Sequence, residues 1–435
     1  MDSIWGMDVQ MPSFPQLEGD LRTDVLIIGG GLAGLLCAAR LSDAGVDCVL
    51  IEENRIMQGV SGRTTAKITS QHGLIYDKLL ADVGLEKAKM YWQVNEEALD
   101  SFRELAKEGN FDFEPRNSYL YQTDGTEKLE SEMAAYQKLG IPAQWKQNLQ
   151  LPFPVAGALA FSNQAQFHPL KFAAHIAKGL AIFENTKALS LVGNQVQTQK
   201  GRIVAEKIIM ATHFPILNKH GAYFLKLYQQ RSYVIALQNT KKVDGMYLDC
   251  AENGLSVRTA GNWLLLGGGG HRTGKQGLGW KLPEAAAEKY YPQSKIAARW
   301  ATQDCMTLDG LPYIGHYSKV TPNLYVATGF GKWGMSTSMV SAMILTDLIQ
   351  GKENPYASLF SPSRSMLQKQ LMINAIEASV NLIRLTSPRC PHLGCALRWN
   401  ALEHSWDCPC HGSRFDQMGK RLNNPATDDM KKPPG

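Results

Sequence analysis

Val25-Leu26-Ile27-Ile28-Gly29-Gly30-Gly31-Leu32-Ala33-Gly34 decides the fold. The four apolar residues read as a short strand covered on both faces. A glycine turn follows, and Leu32 to Leu41 reads as an apolar, small-residue helix. Asp43-Ala44-Gly45 ends it, and Cys48-Val49-Leu50-Ile51 is a second buried strand. Two apolar strands flanking a helix make a βαβ unit on a parallel sheet. The glycines fit G-x-G-x-x-G. Gly29 allows the tight turn, Gly31 lets the backbone approach a pyrophosphate, and Gly34 lets the helix sit close to the strand. The helix start, with Leu32 and Ala33 in its first turn, presents N–H groups and a positive dipole end to phosphates. Glu52 ends the second strand, 18 positions after Gly34, where an acid accepts hydrogen bonds from ribose hydroxyls. Glu53 is the alternative acid. A ligand-free glycine turn is the plainer reading, and the strand–turn–helix–strand–acid context argues against it.

Working outward, residues 77–107 read as helix, 196–211 as a hairpin turning at Gly201, and 231–238 and 255–268 as strands. Leu324–Ala327 is another short buried strand, followed by a glycine-rich turn and a helix from about Ser336 to Ile349. Two segments carry glycines suited to a large flat cofactor: Gly59-Val60-Ser61-Gly62-Arg63-Thr64-Thr65-Ala66-Lys67, and Ala327-Thr328-Gly329-Phe330-Gly331-Lys332-Trp333-Gly334-Met335-Ser336. On these segments residues 20–355 resemble the D-amino-acid-oxidase-like superfamily of FAD-dependent oxidoreductases. The resemblance implies an α/β + β architecture. A discontinuous Rossmann-like FAD-binding domain would take 1–76, 151–222 and 301–355, and an antiparallel-sheet substrate domain 77–150 and 223–300. It implies that Ser61, Gly62, Arg63, Thr64 and Thr65 run along the flavin. Gly329, Gly331, Lys332, Trp333, Gly334 and Met335 would close over the pyrimidine end of the ring, Lys332 as a tuning charge. Asp309-Gly310-Leu311-Pro312-Tyr313-Ile314-Gly315 matches a family segment near the flavin. Ala211-Thr212-His213 stands where the family usually carries Ala-Thr-Gly. The flavin would accept a hydride from a C–N or C–O bond.

Four of the eight cysteines, Cys37, Cys48, Cys250 and Cys305, are scattered through this body; Cys37 and Cys48 read as small buried hydrophobes. The other four form two loops, Cys390-Pro391-His392-Leu393-Gly394-Cys395 and Cys408-Pro409-Cys410-His411-Gly412-Ser413. Clustered Cys with interleaved His reads as a metal site. A zinc knuckle uses the same residue types; the extra Cys395/Cys410 pair and the Pro-Cys-His-Gly-Ser run favour iron–sulfur. The loops resemble those of Rieske [2Fe–2S] proteins. That resemblance implies Cys390 and Cys408 on one iron, His392 and His411 on the other, a Cys395–Cys410 disulfide, and a Ser413 bond to cluster sulfur. Imidazole in place of thiolate raises the potential to about −150 to +300 mV. A linker is expected at 356–372 and a cluster domain at 373–435. Leu367–Leu385 reads as helix rather than strand, so the domain base looks abbreviated. His404 reads as a surface residue.

Arg258 and His271 are candidate substrate contacts, with Tyr233, Trp263 and Trp333 as an aromatic wall. The chain of 435 residues, 44% hydrophobic and 20% charged, is long enough for two or three folding units. A net charge of +5 without a Lys/Arg run argues against a nucleic-acid partner. An N-terminus with acids and no basic stretch argues against a secretory signal. No apolar run reaches the roughly 18 residues a spanning helix needs, so a cytoplasmic protein is expected, with membrane contact at most peripheral. The expected activity is a dehydrogenase of a small amine or amino acid, passing electrons from flavin through the cluster to an external acceptor. The alternatives are the reverse flow, from a reductase through cluster to flavin, and a redox sensor or electron-transfer module.

Overall fold

The computed structural model describes residues 3–217, 220–251, 254–384 and 388–431. β1 (Leu21–Ile28), α1 (Leu32–Asp43) and β2 (Cys48–Ile51) form the expected unit. β1 lies parallel to β2 on one side and to Arg202–Met210 on the other, and Leu324–Thr328 lies parallel to that strand in turn. Successive β1 side chains point to opposite faces. Val25 and Ile27 join Leu35, Leu36 and Val340 in one core, while Leu26 and Ile28 join Phe214 and Tyr317 in another. Three neighbouring parallel strands thus end on one edge of the sheet. Their carboxyl ends carry Gly29-Gly30-Gly31, Ala211-Thr212-His213 and Gly329-Phe330-Gly331, the place where open α/β sheets bind ligands.

The second sheet is mostly antiparallel and has nine strands among the described residues. Its long members are Leu227–Gln238, Trp263–Arg272 and Lys295–Thr307. The boundaries drawn from sequence shift here. Lys67–Ile68 and Gly157–Gln166, placed with the dinucleotide domain, pair in this second sheet, as does Lys295–Thr307 past position 301. Of these, only Lys295–Thr307 runs through an expected boundary, at 300/301; the other two lie wholly inside segments assigned to the dinucleotide domain and pair across to the second sheet. The helix Tyr76–Glu108 covers the predicted span, bent at Gly84 with φ of 81°.

Among its described residues the C-terminal unit has four short antiparallel strands, Arg398–Asn400, Ser405–Asp407, Arg414–Phe415 and Arg421–Asn423. Its small core holds the four clustered cysteines with Leu397, Phe415, Ala426 and Met430. The helix Lys369–Ile383 precedes it; the expected helix end at Leu385 lies outside the described residues. This helix is turned inside out. Asn374 and Asn381 are buried, while Met372, Ile376, Val380 and Ile383 face outward. The inward side is polar because it holds other chains: Asn374 accepts from Arg272, and the Asn381 carbonyl accepts from the Ala396 N–H. No helix among the described residues is long and apolar enough to cross a membrane.

Candidate redox site

A cavity of about 650 Å³ opens at the carboxyl ends of the three parallel strands. Gly29, Gly31, Leu32, Ala33 and Glu52 line it, with Ser61, Arg63, Thr64 and Thr65 beside them. Gly329, Gly331, Lys332, Trp333, Gly334 and Met335 form the facing wall. Gly34 and Gly62 lie behind that lining. A Cβ on Gly34 would sit 1.9 Å from the Gly29 carbonyl oxygen, and one on Gly62 would sit 2.2 Å from that of Met57. Gly31 is different, since a Cβ there would meet only Ser61 Oγ at 3.2 Å; its missing side chain leaves the cavity open. Glu52 accepts from the Gly30 N–H at 2.7 Å and the Asn54 N–H at 2.9 Å. Burial pushes its pKa up. Glu53 lines the cavity too, paired there with Lys187 at 3.7 Å and with Arg421 of the C-terminal unit. A glycine at position 31 whose Cβ would reach towards the cavity, and an acid held by the turn itself, fit a dinucleotide.

The segment after Gly62 is held by its carbonyls. Trp300 Nε1 donates to Arg63 O at 2.9 Å, Trp5 Nε1 to Thr64 O at 2.8 Å, and Arg258 to Ala66 O at 2.9 Å. This corrects the expected role of Arg258. It is buried, lies off the cavity wall, and rests 5.5 Å from the Trp5 ring; its long side chain reaches a backbone acceptor before it reaches the cavity. His271 also lies off the wall. Its Nε2 is 2.9 Å from Tyr233 Oη, which donates to Glu403 of the C-terminal unit at 2.9 Å. Trp333 does line the cavity, stacked on His72 with centroids 4.6 Å apart. Tyr233 lines it and Trp263 does not.

Lys67 was missed. It lies on the cavity wall and hydrogen-bonds Ser256 Oγ. Burial, then the nearby Arg258 charge, brings its pKa down to about 7. No carboxylate among the described residues pairs with it.

The two Cys/His loops fold alike. The Cys390 N–H donates to Cys395 O and the Gly394 N–H returns to Cys390 O, both at 2.9 Å. The Cys408 N–H donates to Ser413 O at 2.8 Å and the Gly412 N–H returns to Cys408 O at 2.9 Å. Gly394 and Gly412 both take left-handed backbone, φ 77° and 86°. The His392 and His411 rings meet edge-on with centroids 4.9 Å apart. Cys390 and Cys408 are both buried in the small core, and Ser413 Oγ accepts from the Ala426 N–H at 3.0 Å. His411 Nδ1 is buried with no hydrogen-bond partner, an orphan that a metal satisfies. Two thiols and two imidazoles converging from twin loops fit the split ligation of a Rieske centre. The expected Cys395–Cys410 disulfide is not formed in this structure. Both thiols, with that of Cys408, sit within 4.8 Å of one another.

The C-terminal unit is seated on the second sheet. Gln229 donates to His411 O at 2.8 Å, Gln303 to Gly412 O at 2.8 Å, and Arg272 to Pro409 O at 3.1 Å. Glu403, its side chain 9% exposed, lies between Arg231 (Nε to Oε1, 2.9 Å) and Arg414 (3.0 Å). Burial alone would raise Glu403; the two guanidinium charges overcome it and bring its pKa down to about 2. Past the cluster loops, Arg421–Asn424, Ala426 and Thr427 line the dinucleotide cavity itself. Asn424 Nδ2 donates there to Thr212 O at 2.6 Å and Phe214 O at 3.0 Å.

A glycine-cradled cavity on a parallel sheet, walled in part by a twin-loop Cys/His unit, defines a two-cofactor redox protein. The chain belongs to the FAD dependent oxidoreductase family, which it matches over residues 24–348, and residues 361–434 match the Rieske [2Fe-2S] domain. It is an FAD-dependent oxidoreductase with a Rieske [2Fe–2S] cluster. A Bacillus subtilis (strain 168) protein described as a Rieske 2Fe-2S iron-sulfur protein, YhfW, is 34% identical, over 99% of this chain and 97% of its own. Gamma-glutamylputrescine oxidoreductase of Escherichia coli (strain K12) is 24% identical over 78% of this chain and 86% of its own. Among solved structures, glycine oxidase from Geobacillus kaustophilus superposes with a TM-score of 0.66 at 20% identity, covering 80% of this chain and 100% of that one.

Proposed function

We propose that the protein is a dehydrogenase of a small amino acid that sends electrons from its flavin, through the cluster, to an external one-electron acceptor. The carrying observation is the shared wall: residues 421–427 of the cluster unit line the dinucleotide cavity. A one-electron carrier tethered and seated at a two-electron cofactor meets it at high effective concentration. Gly29, Gly31 and Glu52 would hold the dinucleotide, Gly329 to Met335 the ring. Cys390 and Cys408 would hold one iron, His392 and His411 the other. The bound cofactors supply hydride acceptance and single-electron transfer.

Lys67 narrows the substrate class. A buried ammonium without a counter-charge is costly, and a substrate carboxylate would relieve it, so an amino acid suits the cavity better than a plain amine. Lys67→Met is expected to weaken binding of carboxylate substrates by roughly 10–100-fold, the worth of a charged hydrogen bond. Because the wild-type lysine titrates at about 7, carboxylate binding tightens as pH falls through 7, and the Met variant loses that dependence. Titrating a non-reacting carboxylate against the flavin spectrum reads both effects. The overall reading is tested by anaerobic mixing with amino acids. Bleaching of the flavin followed by the reduced-cluster EPR signal supports it; bleaching only by a reductase with its nicotinamide donor reverses the direction of flow.

A further inference from the structure

His213 carries more of the cavity–cluster junction than its place in the chain requires. Its backbone φ is 67°, a region that glycine enters freely and a side chain enters under strain. Its carbonyl accepts from Thr328 Oγ1, a bond that glycine would make equally well. The side chain is the surplus. It lines the cavity, and its Nε2 donates to Gln229 Oε1 at 3.2 Å. Gln229 is itself buried and fully committed. Its Oε1 also accepts from Gln303 at 2.6 Å, and its Nε2 donates to the carbonyls of His411 at 2.8 Å and Asn424 at 3.1 Å. One imidazole and one amide therefore run, by successive hydrogen bonds, from the cavity wall to the backbone of a residue in the cluster loop. Electron tunnelling falls off more slowly along covalent and hydrogen bonds than across a packing gap.

We infer that His213 and Gln229 form the coupling bridge between flavin and cluster, as positioning residues for the one-electron step. This rests on the flavin-to-cluster direction proposed above. The balance is simple. Substrate gives up a hydride. Reoxidation of the flavin then yields two electrons and one proton. The electrons go one at a time to the cluster, each taking it from diferric to ferric–ferrous. A one-electron acceptor empties it between transfers, and the proton goes to water.

His213→Gly suits the backbone, so the holoenzyme variant should fold. The test is anaerobic flash photoreduction of the flavin with a deazaflavin donor, following cluster reduction by absorbance and freeze-quench EPR. The expected result is a transfer rate at least tenfold slower, with the cluster g values and the midpoint potentials of both cofactors unchanged. His213→Asn tolerates the same backbone region and is too short to reach Gln229, so it should show the same loss. A variant rate equal to wild type overturns the bridge; so does a slower rate accompanied by shifted potentials, which would mark a structural role. No transfer in the wild-type protein would instead sink the flavin-to-cluster reading, and the bridge with it.

Discussion

Glu403→Ala is expected to weaken the seat of the cluster domain by about 3–5 kcal/mol, the usual cost of leaving buried charges unpaired. That is roughly a 10²–10⁴-fold fall in the docked-to-undocked ratio. The carboxylate sits between two arginines that are themselves almost wholly buried, Arg231 on the second sheet and Arg414 in the cluster unit. Removing it leaves Arg231 without a carboxylate partner among the described residues, while Arg414 keeps Asp407 at 2.9 Å. Urea unfolding followed by cluster absorbance should show the midpoint collapse while far-ultraviolet dichroism of the main body changes less. A midpoint within error of wild type would mean that the carbonyl bonds from Gln229, Gln303 and Arg272 carry the docking alone. Acid should act in the same direction. Glu403 titrates lower in the folded protein, about 2, than its ordinary value of 4.5. Its contribution is therefore whole above pH 4.5 and is lost as pH falls from there towards 2.

Cys408→Ser should abolish the reduced-cluster EPR signal and the iron content, because in the proposed ligation one iron loses a thiolate. The structure adds an effect on flavin. The second loop, 408–413, supplies the Pro409, Cys410, His411 and Gly412 carbonyls that the main body grips. Beyond it, the chain forms part of the cavity wall. A loop without its cluster holds those carbonyls less firmly, so flavin should dissociate roughly tenfold more readily, a change worth about 1.4 kcal/mol. His392→Cys is the contrasting variant. It keeps four ligands, so flavin should stay, while the potential falls towards the roughly −400 mV of cysteine-only clusters. Independent domains would leave flavin affinity unchanged in both; dialysis against known FAD concentrations separates the cases.

The βαβ fingerprint and both cluster loops could be read from sequence because their chemistry is local. A glycine at a fixed offset from a strand, or a histidine two residues after a cysteine, shows its purpose within a dozen positions. The residues that join the two units could not. Gln229, Arg231, Arg272 and Gln303 come from three strands of one sheet, and their partners lie more than 100 positions away. No spacing records that. Arg258 was chosen by type and strand position and His271 by its place after four glycines, neither of which tells which neighbour takes the head group; Ala66 O and Tyr233 do. Lys67 stood in the quoted glycine segment without a motif role, and only the second sheet turning Ser256 towards it gave it one. The apolar stripe of Lys369–Ile383 would suggest a buried face, yet it faces outward because its asparagines are the side that packs.

The wall that Arg421–Thr427 contributes to the cavity also sets an order of manufacture. The fingerprint strand is made some 400 residues before that segment. Flavin can settle on the glycine turn while the later segment is still absent, and the seated cluster unit then adds its part of the wall. Iron supply then becomes a determinant of flavin retention: cells short of iron would accumulate a protein that leaks its organic cofactor as well as lacking its inorganic one.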